Sequence, residues 1–295
     1  MKSLVSSFTP FTGPKALLIY TGRKDGLGNR VRALLSAKAL AEREERALFY
    51  VWSTDRYFGP AMDELWQFDA GHRVPRWISR AAAPIHRFYG PGPTSITARM
   101  RAERLWQIRS GGQPVTWDDA MRPWTEDFRA LVPVAEIAER VNRVFDDSLR
   151  GQRYVGVQVR SHTVSHAKTL ESSPVDWFEQ RMRAVREQYP DALFYLSCDT
   201  AEAQARIMNS FDGCVALTDK GGYNTTEGVR SAIVDLYLLA SAQYFIAPSY
   251  SSFPEMAIHL SDHAMPFERP DQPLAEELSL DAGLVNDPLK PAIRN

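Results

Sequence analysis

The sequence predicts an α/β protein with two domains. Short apolar runs of strand length recur along the chain, and segments with helical periodicity separate them. This alternation appears before about residue 60 and again after residue 150, on either side of a stretch rich in proline, glycine and arginine. A chain of 295 residues is also long for one small domain. We therefore expect one α/β domain at 1–150 and a second at 151–295, each with a parallel sheet.

The first domain begins with a strand–loop–helix–strand unit. KALLIYT (15–21) has a continuous apolar centre, which is typical of a parallel strand covered on both faces. A helix is predicted from about Arg30 to Arg46, because its apolar residues fall on one stripe. ALFYVWS (47–53) is a second strand, which completes a βαβ unit.

The stretch from about residue 59 to residue 113 shows no regular pattern. Eight arginines and one acid, Glu103, lie between positions 73 and 110, and six of the seven tryptophans precede residue 125. Arginines suit an acidic glycan and tryptophan rings stack on sugars, so the region could form an acceptor site. Packing aromatics and a solvated basic face explain the same residues equally well, and both interpretations stay open.

A helix at 134–149 ends the first domain, and the second domain repeats the alternation. Its strands are predicted at 154–160, 192–199, 213–219 and 243–249, and its helices at 177–189, 201–211, 227–242 and 251–261. Strands that alternate with helices in this way build a parallel sheet with crossover helices.

The composition excludes several classes of protein. The net charge is −1, whereas proteins that bind nucleic acid are usually strongly basic, so we expect no nucleic-acid partner. Two cysteines, Cys198 and Cys214, are too few for a disulfide scaffold and fit a reducing compartment. No apolar run approaches the roughly 18 residues of a transmembrane segment, and the N-terminus lacks the apolar stretch of a signal peptide. We expect a cytoplasmic protein.

The first stretch that could carry chemistry is KDGLGNR (24–30), between a strand and a helix. Glycine lets a ligand approach the backbone, and the free N–H groups of a helix N-terminus favour phosphate. The spacing is not G-x-G-x-x-G, because Val31 stands at the last position, and it is not a Walker loop. Two interpretations stay open: Gly26, Gly28 and Asn29 form a ligand loop, or Asn29 caps the helix in a tight turn.

The second is VGVQVRSHTVSHAK (155–168), in which Arg160 stands at the end of a buried strand. Parallel sheets bind ligands at this edge, and a guanidinium donates two parallel hydrogen bonds to a diphosphate. A structural ion pair with a neighbouring acid is the alternative. His162 and His166 lie four residues apart, but the glutamate of H-E-x-x-H is missing, so we expect either a polar active-site loop or plain surface histidines, and no metal site.

The third is LFYLSCDTAEAQ (193–204), where a strand meets a helix. Asp199 could accept hydrogen bonds from a base or a sugar hydroxyl, although a helix cap formed by Asp199 or Thr200 is the simpler interpretation. Cys198 is expected to pack as a small apolar residue, because no catalytic triad is visible around it.

The fourth runs from Asp235 to the serines of APSYSSF (247–253). Asp235 interrupts the apolar face of a helix, so its buried carboxylate must find a partner. Ser249, Ser251 and Ser252 follow a strand at the start of another helix, where hydroxyls and backbone N–H groups suit phosphate. A capped helix start explains one of these serines but not all three.

Together, GLGNR (26–30), VGVQVR (155–160) and AIVDLYLLASAQYFIAPSYSSF (232–253) resemble three motifs of the GT-B fucosyltransferase superfamily, in the same order. Its members include bacterial nodulation fucosyltransferases, α-1,6- and α-1,2-fucosyltransferases and protein O-fucosyltransferases. The resemblance implies a GT-B-like fold, with two Rossmann-like domains and an inter-domain cleft. It implies an inverting glycosyltransferase that moves fucose from GDP-fucose to a hydroxyl of a glycan or glycoconjugate acceptor, without a cofactor or a metal. The first domain would then bind the acceptor and the second the donor.

The resemblance also implies roles for individual residues. Gly28 and Asn29 match the glycine loop that faces the donor. Arg160 matches the arginine that holds the donor diphosphate and steadies the leaving group. His162 is the candidate catalytic base, because histidine titrates near neutral pH and this one stands two residues after Arg160.

The remaining matches lie in the second domain. Asp199 is near the family position that contacts the nucleotide. Ser251, Ser252 and Phe253 match the segment that binds phosphate or lines the guanine pocket. Asp235 matches an acid on the preceding helix that we expect to be a structural partner.

The chain departs from the family pattern at QVRSHT (158–163). The family has His-x-Arg-Arg-x-Asp or His-x-Arg-x-Gly-Asp there, whereas this chain has glutamine for the histidine, serine for the second arginine, and no acid. Two alternatives follow: a GT-B transferase that uses another nucleotide sugar, or a non-catalytic relative that binds a nucleotide or a glycan.

Overall fold

The structure is a computed structural model that describes residues 13–162, 167–274 and 277–295. The chain divides into two compact units, Met1–Leu131 and Val132–Asn295. Each unit has a parallel sheet with helices packed on it, as the alternation of strands and helices predicts.

The first unit contains a five-stranded sheet among its described residues. Its strands are β1 (Ala16–Tyr20), β2 (Ala47–Val51), β3 (His72–Arg73), β4 (Phe88–Tyr89) and β5 (Leu105–Arg109). Its helices are α1 (Leu27–Arg43), α2 (Arg76–Ala82), α3 (Ala98–Ala102) and α4 (Trp124–Arg129), with a 3₁₀ turn at Met62–Glu64. The strands are all parallel and lie in the order β3-β2-β1-β5-β4.

Strand β5 lies in the stretch for which the sequence predicts no regular element. It pairs along its whole length with β1, and Gln107 is the polar residue in its buried middle. The Gln107 amide accepts a hydrogen bond from Ser79 Oγ (3.0 Å) and donates one to the carbonyl of His86 (2.9 Å). A polar residue in the middle of a short strand interrupts the apolar run by which a buried strand is recognised. Its hydrogen-bond partners, Ser79 and His86, lie far away in the sequence.

The second unit contains another five-stranded sheet in the part that the structure describes. Its helices and helical turns are α5 (Ala135–Val144), a π-helical turn at Phe145–Leu149, α6 (Ala167–Ser172), α7 (Val175–Gln188), α8 (Ala201–Ser210), α9 (Thr226–Ala240) and α10 (Ser252–Leu260). Its strands are β6 (Tyr154–Val159), β7 (Leu193–Cys198), β8 (Cys214–Ala216), β9 (Tyr244–Ile246) and β10 (Phe267–Glu268). They are parallel in the order β10-β9-β6-β7-β8, which is the Rossmann order.

The division between the units lies at Leu131–Val132, so the boundary predicted near residue 150 is too late. Helix α5 belongs to the second unit because it packs on α9. Its buried residues, Ile137 and Val141, lie four positions apart and so share one face of the helix. Apolar periodicity predicts the helix itself but not the unit on which that face packs.

Candidate functional site

Both sheets place the predicted site residues at their switch points. In each sheet the chain moves outward from a central strand, β1 or β6, and then returns to that strand's other side with β5 or β9. The carboxyl ends of the strands form a ligand crevice at such a point. In the second sheet the neighbouring ends of β6 and β9 therefore bring Arg160 beside the segment 249–253.

Arg160 directly follows β6 and faces the acid that follows β7. The distance from Arg160 Nε to Asp199 Oδ2 is 3.8 Å. Asp199 Oδ1 accepts hydrogen bonds from the backbone N–H groups of Ser161 (2.7 Å) and His162 (3.1 Å). The ion pair expected as the alternative for Arg160 is therefore present. It joins two predicted site residues, and Asp199 also fixes the turn that carries Arg160.

The cap of α8 is Thr200, whose hydroxyl accepts a hydrogen bond from the N–H of Ala203 (3.3 Å). The same hydroxyl lies 2.6 Å from Ser161 Oγ. Asp199 therefore does not cap the helix, because its Oδ1 is engaged by the turn after β6. Its Oδ2 is buried and accepts no hydrogen bond from any described residue.

His162 is held in the same turn, and its ring stacks on Tyr223 with the centroids 4.8 Å apart and the planes at 21°. His166, the other predicted histidine, lies outside the described residues, as does Thr163. An open pocket of about 570 Å³ adjoins the turn. Its lining consists of Ser161, His162, Val175, Asp199, Thr200, Glu202, Ala203 and Arg206.

The serines after β9 divide into two kinds. Ser249 is fully buried, its N–H donates to Ser173 Oγ (3.0 Å), and its hydroxyl donates to the Asp271 carboxylate. Both polar groups of Ser249 therefore hold the loop, so the predicted role of this residue in binding a donor is not supported by its contacts. The next residue, Tyr250, has a φ of 56°, a strained conformation for a side chain of this size.

Ser251 is the N-cap residue of α10, but its hydroxyl makes no capping hydrogen bond. The side chain is buried, and Oγ has no hydrogen-bond partner among the described residues. Ser252 and Phe253 form the first turn of α10 and are half-buried. The first turn of a helix leaves its N–H groups without partners inside the helix. A buried hydroxyl and these N–H groups thus lie together beside the end of β6.

Asp235 is buried on α9 and has three partners. Its carboxylate accepts hydrogen bonds from Tyr195 Oη (2.6 Å), Ser197 Oγ (2.8 Å) and Lys220 Nζ (2.8 Å). Lys220 Nζ also donates to the carbonyl of Cys198 (3.3 Å). The carboxylate therefore ties helix α9 to strand β7, directly before Asp199.

The glycine loop of the first unit follows β1. Helix α1 begins at Leu27 with Gly26 as its N-cap residue, three positions before the predicted start. Asn29 is inside the first turn, and its Oδ1 accepts a hydrogen bond from Arg32 Nη2 (2.6 Å). The interpretation of Asn29 as the cap is therefore wrong. Gly26 is exposed with open space where a Cβ would be, and Gly28 is buried in the first turn.

Arg30 stabilises the glycine loop through hydrogen bonds to backbone carbonyls, a role that the sequence did not predict. It is fully buried, and its guanidinium donates to the carbonyls of Asp25 (2.8 Å), Ser53 (2.9 Å) and Arg23 (2.9 Å). Burial lowers the pKa of Arg30 to about 10, which leaves it charged at neutral pH. A guanidinium bound to carbonyl oxygens leaves no pattern in the sequence, since any residue can provide the carbonyl.

Over the described ranges, no three His, Cys, Asp or Glu side chains come together as a metal site requires. None of the described helices combines the length and the apolar character needed to cross a bilayer.

No protein-family model and no curated protein sequence matches the chain. Solved structures of fucosyltransferases do match it. The α-1,6-fucosyltransferase NodZ, whose crystals were soaked with GDP-fucose, is 21% identical, with a TM-score of 0.58 over 83% of this chain and 92% of that one. NodZ from Bradyrhizobium gives a TM-score of 0.56 at the same identity.

Two further fucosyltransferases resemble the chain in structure. Arabidopsis thaliana FUT1 in complex with GDP is 13% identical and covers 88% of this chain and 70% of its own, with a TM-score of 0.54. POFUT1 in complex with GDP is 10% identical and covers 88% of this chain and 99% of its own, with a TM-score of 0.56. The chain thus has the fold of these proteins, which confirms the GT-B-like α/β fold that the three motifs implied.

Proposed function

We propose that this protein is a glycosyltransferase that moves fucose from GDP-fucose to a hydroxyl of a glycan or glycoconjugate. The observation that supports the proposal is the set of polar groups at the switch point of the second sheet. Arg160 directly follows β6 there, and Ser251, whose hydroxyl has no hydrogen-bond partner among the described residues, is the N-cap residue of α10. The fold supports the choice of reaction, since structures that share it contain GDP or GDP-fucose.

Asp199 already binds backbone N–H groups beside Arg160, and this limits the hydrogen-bond donors that remain for a diphosphate. Its Oδ1 takes the N–H groups of Ser161 and His162, so the backbone of this turn does not offer those donors to a ligand. The positive charge must therefore come from the Arg160 guanidinium and from the N-terminus of α10, with Ser251 Oγ as a further donor.

In the proposed reaction the acceptor oxygen attacks C1 of the fucose on the face opposite the diphosphate. The bond from C1 to the phosphate oxygen breaks, and its electron pair leaves on GDP. A single displacement of this kind inverts the configuration at C1. The acceptor proton passes to a base, for which we propose His162. Arg160 and the α10 terminus stabilise the charge that develops on GDP, so the reaction requires no metal.

We propose that Asp199 contacts the nucleotide. Its Oδ2 is buried without a hydrogen bond, beside a pocket of about 570 Å³ that Glu202 also lines. A carboxylate only accepts hydrogen bonds. A hydrogen-bond donor on the base or the ribose is therefore the group that Oδ2 suits, because Oδ1 is already bound by the turn. We propose that the glycine loop of the first unit also faces a ligand, since Gly26 leaves room for a close approach and Gly28 and Asn29 lie in the first turn of α1.

A nucleotide panel followed by a turnover assay tests the proposal. GDP should raise the melting temperature more than UDP, dTDP or CMP, because a ligand stabilises the state that it binds. Arg160→Ala should lower turnover of GDP-fucose by roughly 10²–10³, and Arg160→Lys should restore only part of it. Unchanged turnover in Arg160→Ala would mean that this residue does not stabilise the leaving group.

One observation favours a second candidate, a non-catalytic relative that binds a nucleotide. Ser161 stands where the family has a second arginine, and its hydroxyl is 2.6 Å from Thr200 Oγ1, so it adds no positive charge. GDP binding without turnover of any acceptor would support this candidate. A larger thermal shift with UDP or dTDP would instead indicate a transferase that uses another nucleotide sugar.

A further inference from the structure

The carboxyl edge of the first sheet carries a basic pocket to which the proposed donor site assigns no role. The pocket has a volume of about 470 Å³ and lies where β2 ends and β3 meets α2. Arg23, Arg73 and Arg76 line it together with Thr54 and Asp55. Arg23 pairs with the Asp55 carboxylate. Ligands of open parallel sheets bind at this edge, so the position is that of a binding site.

The other two arginines of the pocket have no acid partner among the described residues. Arg73 donates from Nε to the carbonyl of Trp52 (3.1 Å) and from Nη2 to Thr54 Oγ1 (2.8 Å), and both acceptors are neutral. Arg76 lies over the ring of Tyr20, 6.0 Å from its centroid. Two like charges that no described carboxylate offsets favour an anionic ligand.

A fourth arginine reaches the same edge from β5. Arg109 also lies over the Tyr20 ring, at 5.4 Å, and over Phe88 at 3.5 Å. A guanidinium stacked on an aromatic face keeps its N–H groups directed outward in its own plane, where they can bind an anion. The Tyr20 ring at the end of β1 thus lies against two arginines, Arg76 of α2 and Arg109 of β5.

The helix that carries Arg76 also carries an exposed aromatic residue, which does not itself line the pocket. Trp77 follows Arg76 in the first turn of α2, and 63% of its surface is exposed. Four other tryptophans of this unit are buried and serve packing: Trp52, Trp66, Trp106 and Trp117. The C–H face of a sugar ring packs on an indole, whereas a carboxylate or phosphate binds a guanidinium. Together these groups fit a sugar that carries an acid.

We propose that this pocket binds the anionic group of an acidic saccharide acceptor, with Arg73 and Arg76 on the anion. The assignment as an acceptor rests on the proposed transferase function, but binding of the saccharide can be measured without it. The anion is either a sugar carboxylate or a phosphate ester on a sugar, because both accept two parallel hydrogen bonds from a guanidinium.

Calorimetry on the full chain tests this proposal with three probes: trigalacturonic acid, its neutral methyl ester, and a hexose phosphate. We expect the acid or the phosphate to bind and the ester to bind at least tenfold more weakly. Arg76→Gln should weaken binding of the anionic probe roughly tenfold. Arg80→Gln is the matched control, because Arg80 is exposed on the same helix but does not line the pocket. Tighter binding of one anionic probe would identify the source of the charge.

Three results would overturn the proposal. The methyl ester could bind as tightly as the acid, both arginine variants could lose affinity equally, or neither anionic probe could bind. GDP, measured in parallel, separates this proposal from the proposed function. If GDP fails to bind the wild-type protein, the donor assignment is wrong while the saccharide result stands. If Arg76→Gln weakens GDP binding instead, the pocket belongs to the donor and the acceptor proposal is wrong.

Discussion

At the carboxyl edge of the first sheet a buried cation holds the glycine loop, whereas at the edge of the second sheet a half-buried and a buried carboxylate hold the structure. Arg30 donates to three carbonyl oxygens, two of them in the glycine loop. In the second unit, Asp199 accepts from two backbone N–H groups and Asp235 accepts from two hydroxyls and an ammonium. The two sheets thus support the same kind of switch point with opposite charges.

This difference determines which groups each edge can offer to a ligand. In the glycine loop the guanidinium binds carbonyls, and among the described residues only the N–H of Gly22 is bound by a carboxylate, that of Asp25 (2.6 Å). Where a carboxylate binds the N–H groups, an anionic ligand must find its donors in side chains and in a neighbouring helix terminus. This explains why the proposed diphosphate site depends on Arg160 and α10 rather than on the backbone after β6.

The largest expected effect is on stability, from removing the buried charges. Arg30→Met should lower the free energy of unfolding by about 3–5 kcal/mol, because three backbone carbonyls lose a charged donor. Arg30→Lys should recover less than half, since an ammonium cannot reach three acceptors in a fork. Urea unfolding measures both, with exposed Arg80→Gln as a control that should change little.

Asp235→Ala gives the comparison for the second edge. It leaves the Tyr195 and Ser197 hydroxyls and the Lys220 ammonium without their acceptor, so a loss of about 3–5 kcal/mol is again expected. If either Arg30→Met or Asp235→Ala unfolds at the same urea concentration as the wild type, the buried charge that it removes does not stabilise its sheet edge. The contrast between the two edges would then be wrong for that edge.

A smaller effect should separate the two serines after β9. Ser251→Ala should leave the free energy of unfolding within about 1 kcal/mol of the wild type, because it removes a hydroxyl without a partner. The same change should weaken GDP binding roughly tenfold, since a hydrogen bond to a charged group is lost. Ser249→Ala should lower stability by about 1–3 kcal/mol, because Asp271 loses a hydrogen bond.

Urea unfolding and calorimetry with GDP distinguish these outcomes for each variant. Wild-type affinity for GDP in Ser251→Ala would remove the α10 terminus from the donor site. A loss of stability in Ser251→Ala as large as that in Ser249→Ala would show that both hydroxyls hold the loop.

The first edge offers a matched pair of glycines. Gly111 and Gly112 both have positive φ, at 55° and 83°, so alanine is strained at either position by about 1–2 kcal/mol. At Gly111 a Cβ would meet no atom within 4 Å, whereas at Gly112 it would lie 2.7 Å from Asn29 Cβ. Only Gly112→Ala should displace Asn29 and so weaken GDP binding, by a few-fold. Equal GDP affinities in the two variants would argue against a role for Asn29 in the donor site.

The sequence predicts most strands and helices of the second unit, because each is a separate run with its own period, but it misses the short elements α6 and β10. Helix α9, for example, is predicted at 227–242 and found at Thr226–Ala240. Strand β5 is missed, because its place is fixed by pairing with β1 far away in the chain. The start of α1 is missed because an N-cap glycine has no side chain to mark it.

For the site, the sequence predicts the residues at strand ends but not what each of them binds. Asp199 and Thr200 are equivalent candidates for the N-cap of α8 in the sequence. Only the fold shows that Asp199 binds the backbone of Ser161 and His162 and that Thr200 is the cap. Arg30 and Tyr223 are missed altogether, since their partners are distant backbone carbonyls or a single ring. Whether Arg160 and Ser251 bind a diphosphate stays a prediction.

The smallest effect is expected from the two cysteines. The alkylation rates of Cys198 and Cys214 measure how well the folded second unit protects the end of β7 from solvent. Burial raises the pKa of Cys198 to about 12 and that of Cys214 to about 11, against about 8.5 in an unfolded chain. Only the thiolate is alkylated, so at pH 8 the folded protein should react slowly, and half-buried Cys214 should react before Cys198. Both thiols stabilise the folded state fully below pH about 8.5, and this contribution falls as the pH rises toward 11–12. Mass spectrometry after iodoacetamide treatment at pH 8, with and without urea, measures the rates. Fast labelling of Cys198 in the native protein would mean that the end of β7 opens, and that Asp199 does not hold its turn as described.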